Sequence, residues 1–425
     1  MTPVMRQAHK RGTLHNARRG LLGALAAGAW LVGISGTATA APIPDAQSEQ
    51  WYLDAMHAEE IWKSATGEGI KVAVIDSGVN PSVPSLQGQV LKGQDFTGVD
   101  GDETDDYTGH GTTMAELIAG TGKGGGLKGL APGAKIIPYR VTDTDLQNKE
   151  KVNAFDKQQA IRAAADSDAQ IINMSWGGEF YSSEERDAVE YAQSKGKLFF
   201  AAAGNTGDGP NKEEYPAAYP EAIAVTGSGP DGKVAKFSQH GNFVDIAAPG
   251  AGIPSWCDEN FKSYCDRNGT SHATAIASAS AALIWSKHPE WTGNQVLRVM
   301  FESAGRGEGW KPGTVSNFLG HGIVRPGAHI NRGLGKPGAP DVSPLTNEKV
   351  GGATSGSAAS PAPSAPASSQ APKGKPGADA VVAGSSEKAG ADGGGSTPWP
   401  VIGGAAAAVV VAGAAFAVAR RRRSA

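Results

Sequence analysis

From Trp51 to about Gly335, short apolar runs alternate with stretches of helical periodicity. Lys71-Val72-Ala73-Val74-Ile75 is a continuous apolar run of the kind buried on both faces of a parallel sheet. It stops at Asp76-Ser77-Gly78-Val79. Lys135 to Val141, Gln170 to Met174 and Lys197 to Ala203 read as further strands, with shorter ones at Ala222 to Val225 and Val244 to Ala247. Between them the pattern predicts helices over Thr112 to Ala119, Ala154 to Ala165 and Glu184 to Lys195. Two more follow, one opening at Ser271 and one over Gln295 to Ser303. This alternation predicts an α/β fold of three layers, a mainly parallel central sheet with helices on both faces.

The helix that opens in Asn268-Gly269-Thr270-Ser271-His272 runs on through small apolar residues to Trp285. Such a run has no polar face and predicts a helix packed on every side. Ser271 sits in its first turn, where free N–H groups and the helix dipole favour a developing negative charge.

The two ends of the chain have a different pattern. Arg6, Lys10, Arg11, Arg18 and Arg19 form a basic region, Leu21 to Ile34 is apolar, and Ala38-Thr39-Ala40 is a small-residue cleavage site. Residues 1–40 therefore read as a signal peptide, exported either by the general route or, from Arg18-Arg19, by the twin-arginine route. Residues 41–50 form a short extension, and 51–338 the main domain. Residues 339–398 are rich in Pro, Ala, Ser and Gly and predict a disordered spacer. Residues 399–419 are apolar and uncharged, long enough for one transmembrane helix, and 420–425 carry Arg420 to Arg423 as a basic tail. The positive-inside rule then places the C-terminus in the cytoplasm and the main domain outside the cell membrane.

Composition narrows the picture further. The formal net charge is -3, which implies no nucleic-acid partner. The two cysteines, Cys257 and Cys265, stand close together before Ser271. In an exported chain this spacing predicts one disulfide loop; inside the cell they would be two thiols. His57, His288, His321 and His329 show no paired ligand spacing, so no metal and no cofactor is expected.

Three polar residues stand at the ends of core elements: Asp76 closes a strand, His110 in Gly109-His110-Gly111-Thr112 is at a helix start, and so is Ser271 in Gly269-Thr270-Ser271. A serine hydroxyl needs an imidazole to take its proton, and the imidazole needs a carboxylate to fix its tautomer. Asn205, in Ala202-Ala203-Gly204-Asn205, offers an amide donor to an oxyanion. Removing a donor of that type costs on the order of 100- to 1000-fold in rate.

These blocks resemble the subtilisin-like serine proteases, the subtilases. So do Gly129-Leu130-Ala131-Pro132-Gly133, Ser175-Trp176-Gly177, Phe237-Ser238 and Ala248-Pro249-Gly250. The resemblance implies a subtilisin-like fold and a serine endopeptidase acting on polypeptides, with Asp76, His110 and Ser271 catalytic and Asn205 in the oxyanion hole. Ser175, Trp176, Gly177, Ala203 and Gly204 would bind extended substrate. It also implies that the stretch before Tyr215-Pro216 forms the floor of the pocket for the residue preceding the cut. Glu214 there, beside Glu213, would favour Lys or Arg; alternatively both carboxylates point to solvent. The acidic run Asp102 to Asp106 would either add a negative field or be a solvated surface. The short extension, the export signal and the anchor together resemble the mycosins of type VII secretion, so a type VII secretion complex is an expected partner. His272, beside the serine, is expected to be packed rather than reactive. The family's proline after the serine is absent, with His272-Ala273-Thr274-Ala275 in its place. A catalytically weak scaffold retaining the fold is the competing expectation.

Overall fold

The structure is a computed structural model that describes residues 42–43, 45–152, 156–307, 310–311 and 313–350. The expected signal peptide, nearly all of the spacer, the transmembrane helix and the basic tail lie outside the described residues. So does the whole of the second compact unit, Ser360–Ala425. Among the described residues no helix is long and apolar enough to cross a membrane.

The strands are β1 Pro42–Ile43, β2 Lys71–Asp76, β3 Gln94–Asp95, β4 Lys135–Arg140, β5 Ile171–Met174, β6 Leu198–Ala202, β7 Ile223–Ser228, β8 Ile246–Pro249, β9 Ile253–Trp256 and β10 Tyr264–Arg267. The helices are α1 Trp51–Ala55, α2 Ala58–Trp62, α3 His110–Ala119, α4 Thr144–Glu150, α5 Asp156–Asp166, α6 Ser183–Ser194, α7 Thr270–Lys287, α8 Gly293–Ser303 and α9 Pro326–Ile330. Seven strands form one sheet in the order β3-β4-β2-β5-β6-β7-β8, and all its pairings are parallel. The expected strands are therefore present, with ends moved by one to three residues.

Alternation along β2 divides the core. Val72 and Val74 face a cluster that includes Met114 and Leu117 of α3 and the apolar residues of α7. Ala73 and Ile75 face the other cluster, with Ala160 and Ile161 of α5 and Ala188 and Val189 of α6. This is the three-layer α/β arrangement of the sequence reading. α7 is buried from Thr270 to Trp285. Its alanines and serines let neighbouring backbones approach from all sides, which explains why the run has no polar face.

The order β2-β5-β6 has a direct consequence. Parallel neighbours end at the same edge, so Asp76, Ser175 and Asn205, at or just after three adjacent strand ends, lie along one rim of the sheet. Reactive groups gather at that edge in open parallel sheets.

A second sheet was not visible in the sequence. β9 and β10 form an antiparallel hairpin, and β1 adds to it through Pro42↔Cys265 and Ile43↔Tyr264. The short N-terminal extension is thus a strand partner. The packed chain also runs past residue 338. The Pro340 carbonyl accepts from Thr292 Oγ1 at 3.0 Å and from Asn294 Nδ2 at 3.1 Å, and Ser343 is buried.

Candidate active site

Asp76 ends β2 and is fully buried; His110 opens α3 with its side chain 31% exposed. They meet because Gly111 lets α3 approach β2 closely. A Cβ on Gly111 would stand 2.1 Å from the Gly78 carbonyl oxygen and 3.1 Å from Asp76 Cβ. His110 Nδ1 lies 2.7 Å from Asp76 Oδ1, which also accepts from the Ser77 N–H at 2.8 Å. A carboxylate acceptor at Nδ1 leaves Nε2 as the basic nitrogen. Burial lowers the His110 pKa, but the Asp76 charge and hydrogen bond, helped by Asp106 and Asp143, outweigh it and raise the pKa above 6.5.

Asp106 holds the start of α3 in place. Its Oδ2 accepts from Thr112 N–H at 2.8 Å and Thr112 Oγ1 at 2.6 Å, and its Oδ1 accepts from Gly109 N–H at 2.9 Å. It thus satisfies donors that the first turn leaves open. Ser77 Oγ donates to Asp106 Oδ1 at 2.8 Å and accepts from Gly111 N–H at 3.0 Å, linking the end of β2 to the helix. Glu103 is buried as well, in an ion pair with Lys92 at 2.8 Å. The acidic run is therefore partly internal, which corrects the reading of it as a purely solvated surface, and Asp106 does add negative charge near His110. Asp106 escaped notice because a capping carboxylate inside a run of acids has the pattern of a solvated loop.

Ser271 lies in the first turn of α7 and lines a cavity of about 310 Å3 together with His110 and Asn205. Its Oγ donates to the Ser175 carbonyl at 3.1 Å rather than to His110. Serine–imidazole contacts are often loose without a bound substrate. Ser175 returns the contact, its Oγ donating to the Ser271 carbonyl at 3.2 Å. Behind it, Asn173 Nδ2 donates to Ser175 Oγ at 3.0 Å and Ser278 Oγ to Asn173 Oδ1 at 3.0 Å. This buried polar chain fixes β5 against α7.

The Asn205 amide is oriented by chemistry. Its oxygen accepts from the Thr270 N–H at 2.8 Å, and a backbone N–H can only donate, so Nδ2 is the end left to face a ligand. His272 is buried, with Nε2 2.7 Å from Ser255 Oγ. Burial first, and then the His110 charge, lower its pKa to about 3, so it is a neutral packed ring.

The remaining predicted residues flank this centre. Trp176 stands edge-on to the His110 ring with centroids 6.1 Å apart. Gly178 and Tyr215 exchange backbone hydrogen bonds of 3.0 and 2.8 Å, which brings the Glu214 stretch against Gly177. Here the two glutamates part: Glu213 is exposed and Glu214 half-buried. A Cβ on Gly177 would lie 2.6 Å from Glu214 Oε2. Glu214 also bonds the Gln239 side chain, and the Gln239 N–H donates to the Gly204 carbonyl at 3.1 Å. Its carboxylate therefore sits behind Gly177, and the Gln239 side chain sits behind Gly204. Burial raises its pKa; the Gln239 bond opposes this and the Glu179 charge adds to it. Among the described residues Glu214 belongs to no ion pair.

Cys257 and Cys265 are joined, closing the β9–β10 hairpin. His288 and His329, far apart in sequence, bring their Nε2 atoms to 3.0 Å. Among the described residues no group of three or more His, Cys, Asp or Glu could hold a metal ion.

The family model for the subtilase family, Peptidase S8, matches residues 67–322. Thermitase from Thermoactinomyces vulgaris is 35% identical over 283 residues, covering 65% of this chain and 96% of thermitase. The solved structure of MycP1 from Mycobacterium smegmatis aligns with a TM-score of 0.59 at 26% identity, over 71% of this chain and 90% of that one. A serine protease MycP1, described as an essential component of the type VII (ESX-1) secretion system, aligns with a TM-score of 0.57 at 31% identity, over 69% and 92%.

Proposed function

The chain belongs to the subtilase family of serine endopeptidases, and from this we propose that it is a membrane-anchored endopeptidase acting on extracellular polypeptide through Asp76, His110 and Ser271. The observation that carries the proposal is the 2.7 Å Asp76–His110 contact at the rim of the cavity that holds Ser271 and Asn205. In this mechanism Ser271 Oγ attacks the scissile carbonyl carbon while its proton passes to His110 Nε2. The carbonyl oxygen becomes an oxyanion facing the Asn205 amide and the first-turn N–H of α7. The C–N bond then breaks, His110 returns the proton to the leaving amine, and an acyl-enzyme remains. Water, deprotonated by His110, releases the acid by the reverse sequence. Asp76 stabilises the imidazolium in both halves without taking the proton.

The experiment is labelling of the full chain in detergent with a serine-reactive fluorophosphonate. Wild type labels and Ser271→Ala does not, with peptide hydrolysis reduced on the order of 10^6-fold. A folded wild type that neither labels nor cleaves peptides would leave the weak scaffold as the better reading.

The substrate class follows from Glu214. A half-buried carboxylate without a cation, behind the edge on which substrate backbone pairs, favours Lys or Arg before the cut and penalises acids. Wild type is expected to cleave peptides with Arg at that position faster than those with Leu or Ala. Glu214→Ala should level the series. Equal rates in the wild type would remove this role.

The architecture and the likeness to MycP1 support a place as a mycosin beside a type VII secretion complex, with the catalytic domain outside the cell membrane.

A further inference from the structure

The cavity at Ser271 has a wall that the Ser175–Gly177 edge does not form. It consists of Thr108 and Thr113 on one side and Trp256, Cys257 and Arg267 of the hairpin on the other. Arg267 ends β10, four residues before Ser271. Its Nη2 donates to the Cys257 carbonyl at 3.0 Å, which ties the guanidinium across the same hairpin end that the disulfide closes. The hairpin is in turn fixed to α3, because Trp256 N–H donates to Thr113 Oγ1 at 3.0 Å. Arg267 belongs to no ion pair among the described residues, although Asp258 and Glu259 lie in the same hairpin loop. Of the side chains lining the cavity it alone carries a permanent charge. His272 is neutral, and His110 is neutral whenever it acts as a base.

Resting on the endopeptidase reading, we infer that this wall is a leaving-side subsite for a carboxylate, with Arg267 selecting Asp or Glu at the first or second residue after the scissile bond. The side is set by proton transfer. His110 gives its proton to the leaving nitrogen, so the chain beyond the cut passes His110 and enters the space between α3 and the hairpin. The acyl part lies on the opposite side, along Ser175–Gly177. A guanidinium is a planar fork that matches a carboxylate with two parallel hydrogen bonds. A tether at one nitrogen orients that fork before substrate arrives, which reduces the ordering cost of binding. With Glu214 on the acyl side, the cleft has opposite charges on its two halves. It would read a basic residue before the cut and an acidic one after it.

The test uses the full chain in detergent and peptides that keep the fastest-cut residue before the scissile bond. The first and then the second residue after it is varied among Glu, Gln and Lys. At one of the two positions wild type is expected to rank kcat/KM as Glu, then Gln, then Lys, with Glu over Lys by about tenfold or more, as two partly screened charges at contact distance imply. Arg267→Lys keeps the ranking and Arg267→Glu inverts it. Each ratio is taken within one preparation, so it does not depend on how much of a variant folds. A flat wild-type series at both positions, or a Glu preference that survives in Arg267→Glu, overturns the inference. Failure to cut any peptide would instead overturn the endopeptidase reading on which it rests.

Discussion

Asp76 decides the pH at which His110 can work. Burial alone would lower the histidine pKa, and the fixed carboxylate at 2.7 Å more than reverses this. Below its folded-state pKa the ring is protonated and cannot accept the Ser271 proton. kcat/KM, which reports the free enzyme, should therefore fall with falling pH along a limb centred above 6.5. In Asp76→Asn the raising charge is gone and burial remains, so the limb moves to lower pH. The plateau drops on the order of 10^4-fold, since the wrong tautomer is then held. A pH–rate profile of both proteins checks this; a limb that stays in place or moves up would show that another group sets it. Some residues of the site were legible because they stand at one end of an apolar run, as Asp76 does where β2 stops and Ser271 does where α7 begins. Glu214 was legible only as one of a pair, and only the backbone exchange between Gly178 and Tyr215 turns it inward while Glu213 stays exposed. Asp106 and Arg267 were not legible. Both are charged residues among other charges, and their importance comes from hydrogen bonds that close a turn of about 20 Å of extended chain or cross a hairpin.

At the scale of elements, apolar continuity carried the sequence reading. β2, β4, β5 and β6 are buried on both faces by helices, so their composition alone marks them. α7 was marked by the opposite of amphipathicity, a run of small residues with no polar side. The β9–β10 hairpin left no such mark. Its strands include Pro254, Ser255, Asp266 and Arg267, so no apolar run or clean alternation marks them, although Ile253 joins the core and Tyr264 stacks on Trp256 at 3.9 Å between centroids. Its pairing is fixed by tertiary contacts and the disulfide, neither of which has a sequence period. β1 is shorter still and exists only as the hairpin's partner. α3 and α7 divide the chemistry between them. α3 brings the base to the carboxylate, and α7 brings the hydroxyl and the first-turn donors to the base. The hairpin then frames the side of the cavity that neither helix covers. For this reason the least legible element is the one that carries the chain's own selectivity on the leaving side.

At the scale of the whole molecule, the remaining question is how the catalytic domain is held at its place of work. The packed part runs through α9 and back along α8 to Val350, where the Val350 N–H donates to the Asp341 carbonyl at 2.9 Å. The first residues of the Pro-, Ala-, Ser- and Gly-rich stretch expected over 339–398 are thus packed, and those after 350 lie outside the described residues. In the topology proposed above, the apolar 399–419 would be the anchor and Arg420 to Arg423 would set its direction, because they resist passage across the bilayer. In cells, the full chain is expected to sediment with membranes, to resist extraction by high salt, and to lose its catalytic domain to protease added outside intact cells. A chain ending at Val350 should appear in the medium with peptide hydrolysis intact. A chain ending at Gly338 should be less stable, since it lacks the Pro340 and Val342 carbonyls that cap and pair with α8. Detergent extraction of the full chain should co-isolate type VII membrane components, and extraction without them would leave an anchored endopeptidase that is not a mycosin. Recovery of the full chain from the soluble fraction, or a catalytic domain protected from external protease, would reverse the topology proposed for it.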